Sequence, residues 1–356
     1  MSRRRTKAVK LKWRPKRADL ERILIVCAAA LVVVLALREQ EPATQIIYED
    51  TPLSVSETSA QAADVEMQSI VCWYQDGDGY LVPVTRQIPR QDGIARATLG
   101  LMVKSSENDL AAARMGLRNV IPEGTTFELD ISQGKARVDM SKEALSCASA
   151  EEELLMVQAT AATLCGFDTV EEVSFLFDGQ KRSRLTHGTD VSGVFNEDSV
   201  NVESIATMAS TTSTYADQMQ LYFPSASGRL LVPVTRTVFS PTDLSTAMLE
   251  LCKGPASDSG LEAPLPRDCG VRSVKVKDGV ATIDFSKEFL TVTQQSDGGR
   301  QAIRAVLFTA SQFPGVKKVS ITVNGEPFAP EPETTATFLN DADEVMTQYP
   351  GVVEVD

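Results

Sequence analysis

The 356 residues, 43% of them apolar, are enough for two or three globular domains that fold without a metal or a disulfide. The net charge of −13 hides an asymmetry: residues 1–22 carry ten Lys and Arg against two acids, and the remainder carries 25 basic against 46 acidic residues. A body this acidic excludes the basic footprint of a nucleic-acid-binding protein.

An uninterrupted apolar run of fifteen residues follows the basic N-terminus; it begins at Ile23 and ends at Leu37. As a helix it would be about 22 Å long, somewhat short of a hydrocarbon core of about 30 Å. Leu20 and the snorkelling side chains of Arg22 and Arg38 can supply the difference. The run therefore predicts a transmembrane helix.

The positive charges before this run place the N-terminus in the cytoplasm and the C-terminal body outside it. We expect residues 23–38 to remain as a single-pass anchor in the cell membrane. A cleaved signal peptide is the alternative, although the basic segment is long for one. Cys27 follows Val26, where a lipoprotein cysteine requires Gly, Ala or Ser. Residues 39–66 are polar and acidic, which predicts a disordered tether.

Three blocks of sequence occur twice, in the same order and at offsets of 150, 145 and 146 residues. Repetition in constant order indicates a tandem duplication of one fold. The blocks are LVPVTR from Leu81 and Leu231, VDMSKE from Val138 with IDFSKE from Ile283, and FDTVEEVSFLFDG from Phe167 with FPGVKKVSITVNG from Phe313.

Hydrophobic periodicity predicts an α+β fold in each copy, ordered β-β-α-β-β-α-β, with helices packed on a mainly antiparallel sheet. Ala136, Val138 and Met140 alternate with polar residues, as expected for a half-buried strand. Pro83 and Pro233 lie within the second strand and predict an edge position or a bulge. The predicted segments are a first domain at 67–203, a linker at 204–217, a second domain at 218–330, and a disordered acidic tail at 331–356.

The repeated blocks resemble the GerMN domain family, which occurs in sporulation and germination proteins of endospore-forming bacteria. The resemblance covers about residues 68–330 and is closest in the second copy. The first copy departs from the pattern: Lys104-Ser105 replaces a Gly-Pro, the following loop is six residues longer, and Gly166-Phe167-Asp168 stands for Gln-Phe-Pro. In the second copy, the resemblance rests on LVPVTR from Leu231, Gly254-Pro255, Leu265-Pro266 and residues 280–289, 312–316 and 324–326.

This resemblance implies an extracytoplasmic, membrane-attached protein that serves the secretion-like complex between mother cell and forespore. Relatives of this kind are usually lipoproteins. The present sequence lacks a convincing lipoprotein site, so the resemblance implies attachment through the transmembrane helix instead. The implied partners are protein components of a membrane-associated sporulation complex.

The sequence predicts no catalytic, cofactor-binding or metal site. Asp139 and Asp284 occupy equivalent positions and could form a carboxylate pair, but they belong to different copies. We interpret each as an outward residue that ends a strand. His187 is the only histidine and has no nucleophile at a matching spacing, so no catalytic triad is expected.

The cysteines form neither a C-x-x-C pair nor a ligand cluster, which argues against a metal site. Cys252 and Cys269 both lie in the second copy, while the first copy has Met102 and Thr125 at those places. A disulfide between these two cysteines is conceivable. Free buried thiols that act as small apolar side chains are the default expectation.

Three functions compete. The favoured hypothesis is a non-enzymatic assembly or scaffold component that works through surfaces, with the exposed edges of the Pro-containing strands as docking strips. The alternative is an extracytoplasmic ligand-binding or sensory protein that holds a small molecule or a cell-wall fragment between its copies. A hydrolase is the weakest hypothesis, because the sequence offers no histidine with a nucleophile and an acidic residue at a matching spacing.

Overall fold

The computed structural model describes residues 66–196, 200–203, 216–295, 297, 299–328, 333–334 and 340–342, all of which belong to one compact unit. The predicted anchor and tether lie outside these residues. Among the described residues, no helix is both long and apolar enough to cross a membrane.

Each copy contains a two-stranded hairpin, a second sheet of three strands in copy one and five in copy two, and helices between the strands. Copy one contains β1 (Met67–Gln75), β2 (Leu81–Pro89), α1 (Ile94–Gly100), α2 (Ser106–Arg114), β3 (Phe127–Ser132), β4 (Gly134–Met140), a 3₁₀ helix (Lys142–Ser146), α3 (Ala150–Cys165) and β5 (Val170–Phe177). Copy two contains β6 (Asp217–Pro224), β7 (Leu231–Val238), α4 (Leu244–Lys253), β8 (Val271–Lys277), β9 (Val280–Phe285), a 3₁₀ helix (Lys287–Gln294), α5 (Arg300–Ser311), β10 (Lys318–Val323), and the short β11 (Glu326–Pro327) and β12 (Glu333–Thr334).

The sheets of each copy differ from the single, mainly antiparallel sheet that the sequence predicts. The hairpins β1–β2 and β6–β7 are separate antiparallel sheets. The other strands run β3-β4-β5 in copy one and β8-β9-β10-β11 in copy two, where β12 also pairs with β10. The pairs β4–β5 and β9–β10 are parallel. A parallel pair requires a crossover, which α3 and α5 provide. The sheets are therefore mixed.

Helix α2 was not predicted and has no counterpart among the described residues of copy two. It forms in the loop that is six residues longer in copy one than in copy two, where Ser105 caps its start by accepting a hydrogen bond from the Asn108 backbone N–H at 3.2 Å. The Asn108 side chain then donates to the carbonyls of Gly100 and Val103, at 2.9 and 2.8 Å. These bonds fasten α2 to the end of α1.

The long helices bury one face against both sheets of their own copy. Helix α3 contacts β1 and β5, and α5 contacts β6 and β10. Ser149 caps α3, and Glu151 to Glu153 occupy its first turn, where their negative charge interacts favourably with the positive end of the helix dipole. The alternating residues predicted to face inward, Ala136, Val138 and Met140, are fully buried, which confirms that strand's inner face.

Part of the predicted disordered tail is ordered. Glu333 and Thr334 pair with β10, and Asn340 is 1% exposed. The prediction of a disordered tail is wrong for these residues, because a short segment that donates backbone and amide hydrogen bonds into a core needs no hydrophobic periodicity. The other residues of 331–356 lie outside the described part of the chain.

Gly299 allows the chain to turn from the 3₁₀ helix into α5, and its φ of +86° is unfavourable for any residue with a side chain. An added Cβ would lie 2.8 Å from Cγ2 of Val292. We expect Gly299→Ala to lower the free energy of unfolding by about 2–3 kcal/mol, measured by chemical denaturation.

Gly315→Ala is the matched control. Gly315 has the same φ of +86°, but no atom lies within 4 Å of its added Cβ. Backbone strain alone should cost about 1 kcal/mol there. Equal losses for the two variants would contradict a role for the contact with Val292.

Candidate functional site: the seam between the two copies

The repeated LVPVTR strands, β2 and β7, pack against each other and join the two copies. Leu81 and Leu231 are fully buried, and Thr85 and Thr235 are each 1% exposed. The sequence predicted exposed edges here that could serve as docking strips. That prediction is wrong, because the segment that follows each copy covers the edge of the other.

Asn201, in the segment after copy one, fastens this seam from one side. Its Oδ1 accepts a hydrogen bond from the Leu81 backbone N–H at 2.9 Å, and its Nδ2 donates to the Leu81 carbonyl at 2.7 Å. The same Nδ2 donates to the Pro233 carbonyl of copy two, also at 2.7 Å. The backbone N–H of Thr235 donates to the Asn201 carbonyl at 3.2 Å. One asparagine therefore holds both copies.

Asn340, in the segment after copy two, repeats these contacts with the copies exchanged. Its Oδ1 accepts from the Leu231 backbone N–H at 2.8 Å, and its Nδ2 donates to the carbonyls of Leu231 and Pro83, at 2.8 and 3.0 Å. The Thr85 backbone N–H donates to the Asn340 carbonyl at 3.2 Å. Both asparagines have a φ of 50°, a left-handed conformation that Asn tolerates better than most residues.

The two prolines suit this arrangement. The carbonyl of Pro83 points out of its hairpin toward Asn340, and in an extended strand the nitrogen of a residue points to the same side as its carbonyl. Any other residue would place a buried N–H there that needs an acceptor. Proline lacks that N–H, so the repeated motif carries it at the center of the seam.

Arg236, the last residue of the motif in copy two, forms an ion cluster whose side chains are mostly buried. Its Nε and Nη2 donate to the carboxylate of Glu203 at 2.6 and 2.8 Å, and Nη1 lies 3.3 Å from Glu250. Nη2 also donates to the Gly254 carbonyl at 2.9 Å. Burial alone would lower the pKa of Arg236, but the hydrogen bonds and charges of Glu203 and Glu250 outweigh burial and raise it. In copy one, Arg86 donates to the Tyr74 hydroxyl at 3.0 Å.

The predicted carboxylates, Asp139 and Asp284, are not brought together as a pair. Asp139 accepts a hydrogen bond from the Gly179 backbone N–H at 3.0 Å, and Asp284 accepts one from Gly325 at 2.8 Å. Each aspartate therefore stabilises a turn of its own copy, which follows β5 in copy one and β10 in copy two. Burial opposes ionisation of Asp284, but these bonds and Arg272 lower its pKa below the ordinary value.

His187 also has a local structural role. Its Nε2 lies 2.8 Å from the carbonyl oxygen of Cys147, and its backbone N–H donates to the buried carboxylate of Glu153 at 2.7 Å. The loop after β5 is thereby fastened to α3. No hydroxyl or thiol nucleophile is hydrogen-bonded to the imidazole among the described residues.

The five cysteines in the described part of the chain are free thiols. The Cys252 and Cys269 thiols are nevertheless in hydrogen-bond contact. This contact lowers the pKa of Cys252; it also raises that of Cys269, and burial raises it further. The structure thus places side by side the two residues for which a disulfide was conceivable, in the reduced state. Within the described ranges, no group of three or more His, Cys, Asp or Glu could hold a metal ion.

A cleft of about 420 Å³ lies between the copies, beside the seam. The Tyr80 hydroxyl crosses it and donates to the Ser259 carbonyl at 2.8 Å. Glu151, Glu203 and Asp258 line it, so its walls are acidic. The sequence did not identify Asn201 or Asn340 as important, and no motif shared by the two trailing segments marks them.

These features define the chain as a tandem pair of α+β domains that share one buried seam. A family model described as Germane, sporulation and spore germination, matches residues 70–183 and 220–329. The chain belongs to this family.

One curated relative is the spore germination protein GerM of Bacillus subtilis (strain 168), which is 27% identical over 274 residues, or 75% of this chain and 74% of that protein. The solved tandem GerMN domains of the same B. subtilis protein are 26% identical and superpose with a TM-score of 0.67, covering 78% of this chain and 99% of that one. The first of those domains, solved alone, covers 37% of this chain and 98% of that one, with 25% identity and a TM-score of 0.34.

Proposed function

We propose that this protein is a non-enzymatic assembly component of the complex between mother cell and forespore, held outside the cytoplasm by the apolar segment that begins at Ile23 and ends at Leu37. Membership of a sporulation and germination family supports this setting. The observation that carries the assembly role is that the seam uses β2 and β7 but leaves one outer strand of each larger sheet open.

These outer strands are β3 and β8. Neither pairs with a further strand among the described residues. An open edge presents a row of backbone N–H and C=O groups that a partner strand can pair with. The docking strips of the proposed scaffold are therefore β3 and β8, rather than the Pro-containing strands.

The two edges carry opposite charge. Strand β3 exposes Glu128 and Asp130, whereas β8 exposes Lys275 and Lys277. Charge of one sign along an edge prevents indiscriminate self-pairing and selects a partner of the opposite sign. The β8 edge is thus suited to an acidic partner and the β3 edge to a basic one.

Charge reversal at β8 tests this proposal. The test is crosslinking in sporulating cells followed by purification of the chain. With the double variant Lys275→Glu, Lys277→Glu, the yield of co-purified components of the mother cell–forespore complex should fall roughly tenfold, because the new carboxylates would repel an acidic partner. Lys287→Glu, on the exposed side of the 3₁₀ helix, is the control and should change little. Undiminished recovery with the double variant would exclude β8 as the docking edge, and substrate turnover by the purified chain would exclude the non-enzymatic role.

The alternative function, ligand sensing between the copies, is supported by the cleft beside the seam. Its acidic walls favour a cationic small molecule or a cell-wall fragment that carries amino groups.

A further inference from the structure

Two thiols of copy two meet at the two ends of one loop. Cys252 is half-buried in the last turn of α4, and Cys269 is buried just before β8. The two side chains are in hydrogen-bond contact, and α4 packs against β8. Copy one has Met102 and Thr125 at these places, so the pair has no equivalent there.

The fold fixes the backbone on both sides of this contact. Gly270, the residue after Cys269, donates to Oγ of Ser286 at 3.1 Å, and its carbonyl accepts from the Ser286 backbone N–H at 2.8 Å. Cys252 is held by the helical backbone of α4. Two cysteines can be bridged only where their backbones bring the side chains together. The folded chain meets that condition here before any oxidant arrives.

The two thiols differ in reactivity. Cys252 is the more accessible one, and the hydrogen bond with Cys269 lowers its pKa, which favours the nucleophilic thiolate. The same hydrogen bond raises the pKa of Cys269, and burial raises it further, so this thiol keeps its proton. Cys252 is therefore suited to react with an oxidant first, and Cys269 to react with the product.

We propose that Cys252 and Cys269 form a disulfide by exchange with a small-molecule or protein disulfide. The Cys252 thiolate attacks one sulfur of the oxidant, its S–S bond breaks, and the departing thiolate binds the proton that Cys252 has lost. Cys269 then attacks Sγ of Cys252, and the second departing thiolate binds the proton of Cys269. One disulfide is reduced to two thiols while the cysteine pair is oxidised, so atoms and electrons balance.

The bridge closes residues 253–268 into a covalent loop, and this loop reaches copy one. The carbonyl of Ser259 accepts a hydrogen bond from the Tyr80 hydroxyl at 2.8 Å, across the cleft between the copies. The carbonyl of Gly254 accepts one from Arg236 at 2.9 Å. A closed loop lowers the entropy of the unfolded chain, so the bridged protein is the more stable form. This covalent site depends neither on the docking edges nor on a ligand.

Thiol mapping of the full chain tests the proposal. The chain is incubated with excess glutathione disulfide, acidified, unfolded, alkylated and digested without reductant, and the peptides are identified by mass spectrometry. We expect one cross-linked pair of peptides, which joins Cys252 to Cys269. The midpoint of thermal unfolding should rise by about 5 °C relative to chain kept in a reductant.

Cys269→Ala should stop the reaction at a mixed disulfide between Cys252 and glutathione, and oxidation should then leave the midpoint unchanged. Cys252→Ala keeps the buried thiol and should also form no bridge; thermal unfolding in reductant checks that both variants are folded. Cys165→Ala is the matched control, because it removes a different half-buried thiol, which donates to the Glu171 carbonyl at 3.7 Å, and it should be bridged like the parent chain. The proposal is overturned if the parent chain yields no Cys252–Cys269 peptide pair, if its Cys252 stays bound to glutathione, or if oxidation raises the midpoint of Cys269→Ala equally.

Discussion

Asn340→Gly is expected to lower the free energy of unfolding by about 3 kcal/mol, which is a large loss for the removal of one buried side-chain amide. Glycine accepts the φ of 50° at this position, so the variant removes the side chain without adding backbone strain. The Leu231 N–H loses its acceptor, and the carbonyls of Leu231 and Pro83 lose a donor. Chemical denaturation measures the loss.

The same variant should also uncouple the two copies. Asn340 contacts both repeated strands, so its loss weakens the seam more than either core, and calorimetric unfolding should split into two transitions. Asn201→Gly should cost less, because Asn201 is only half-buried and water can replace part of its bonding.

Gln218→Ala, an exposed change at the start of β6, is the control and should stay within about 0.5 kcal/mol of the parent chain. A single, unshifted unfolding transition for Asn340→Gly would show that the asparagine bonds do not hold the seam together.

Arg236→Met is expected to cost about 3 kcal/mol, because it leaves the Glu203 carboxylate without its cation and Glu250 with only the exposed Lys253. The side chains of Arg236, Glu203 and Glu250 are 11%, 19% and 13% exposed, so water screens the remaining negative charges poorly. Because Glu203 follows copy one and Arg236 belongs to copy two, the loss should also release the segment between them. Urea denaturation measures the free energy, and limited proteolysis near Glu203 measures the release.

Arg137→Met is the matched control for this prediction. Arg137 pairs with Asp130 at 2.8 Å, but both side chains are 59% exposed. An exposed ion pair contributes under about 1 kcal/mol, so this variant should unfold almost like the parent chain. If Arg236→Met and Arg137→Met lose equal stability, burial does not determine the contribution of the Arg236 cluster.

The repeated motif illustrates how far the sequence leads. Pro83 and Pro233 correctly indicated a strand with one edge that forms no backbone hydrogen bonds to the other strand of its hairpin. Whether that edge meets solvent or protein depends on what else packs there, and no local pattern carries this information. Asn340 lies 109 residues beyond Leu231 and 257 beyond Pro83, and hydrogen bonds over such separations leave no periodicity in the chain.

Helix α2 of copy one shows the same limit. The sequence contained its cause, a loop six residues longer than in copy two. It did not indicate that this loop forms a helix, or that Asp109 of that helix accepts a hydrogen bond from the amide of Asn119. A side-chain bond between residues ten positions apart depends on the fold and leaves no periodicity in the sequence.

The amino-acid sequence by itself determined the duplication, the resemblance to the family and the inward face of the clearly alternating strands, since these follow from repeated blocks and from a period of two residues. Only the tertiary structure decided that β5 and β10 pair in parallel with β4 and β9, that the trailing segments cover the edges of the repeated strands, and that an asparagine from each trailing segment binds both copies. Those features depend on contacts between residues far apart in the chain, where the free energy comes from burial and hydrogen bonding that no single segment makes alone.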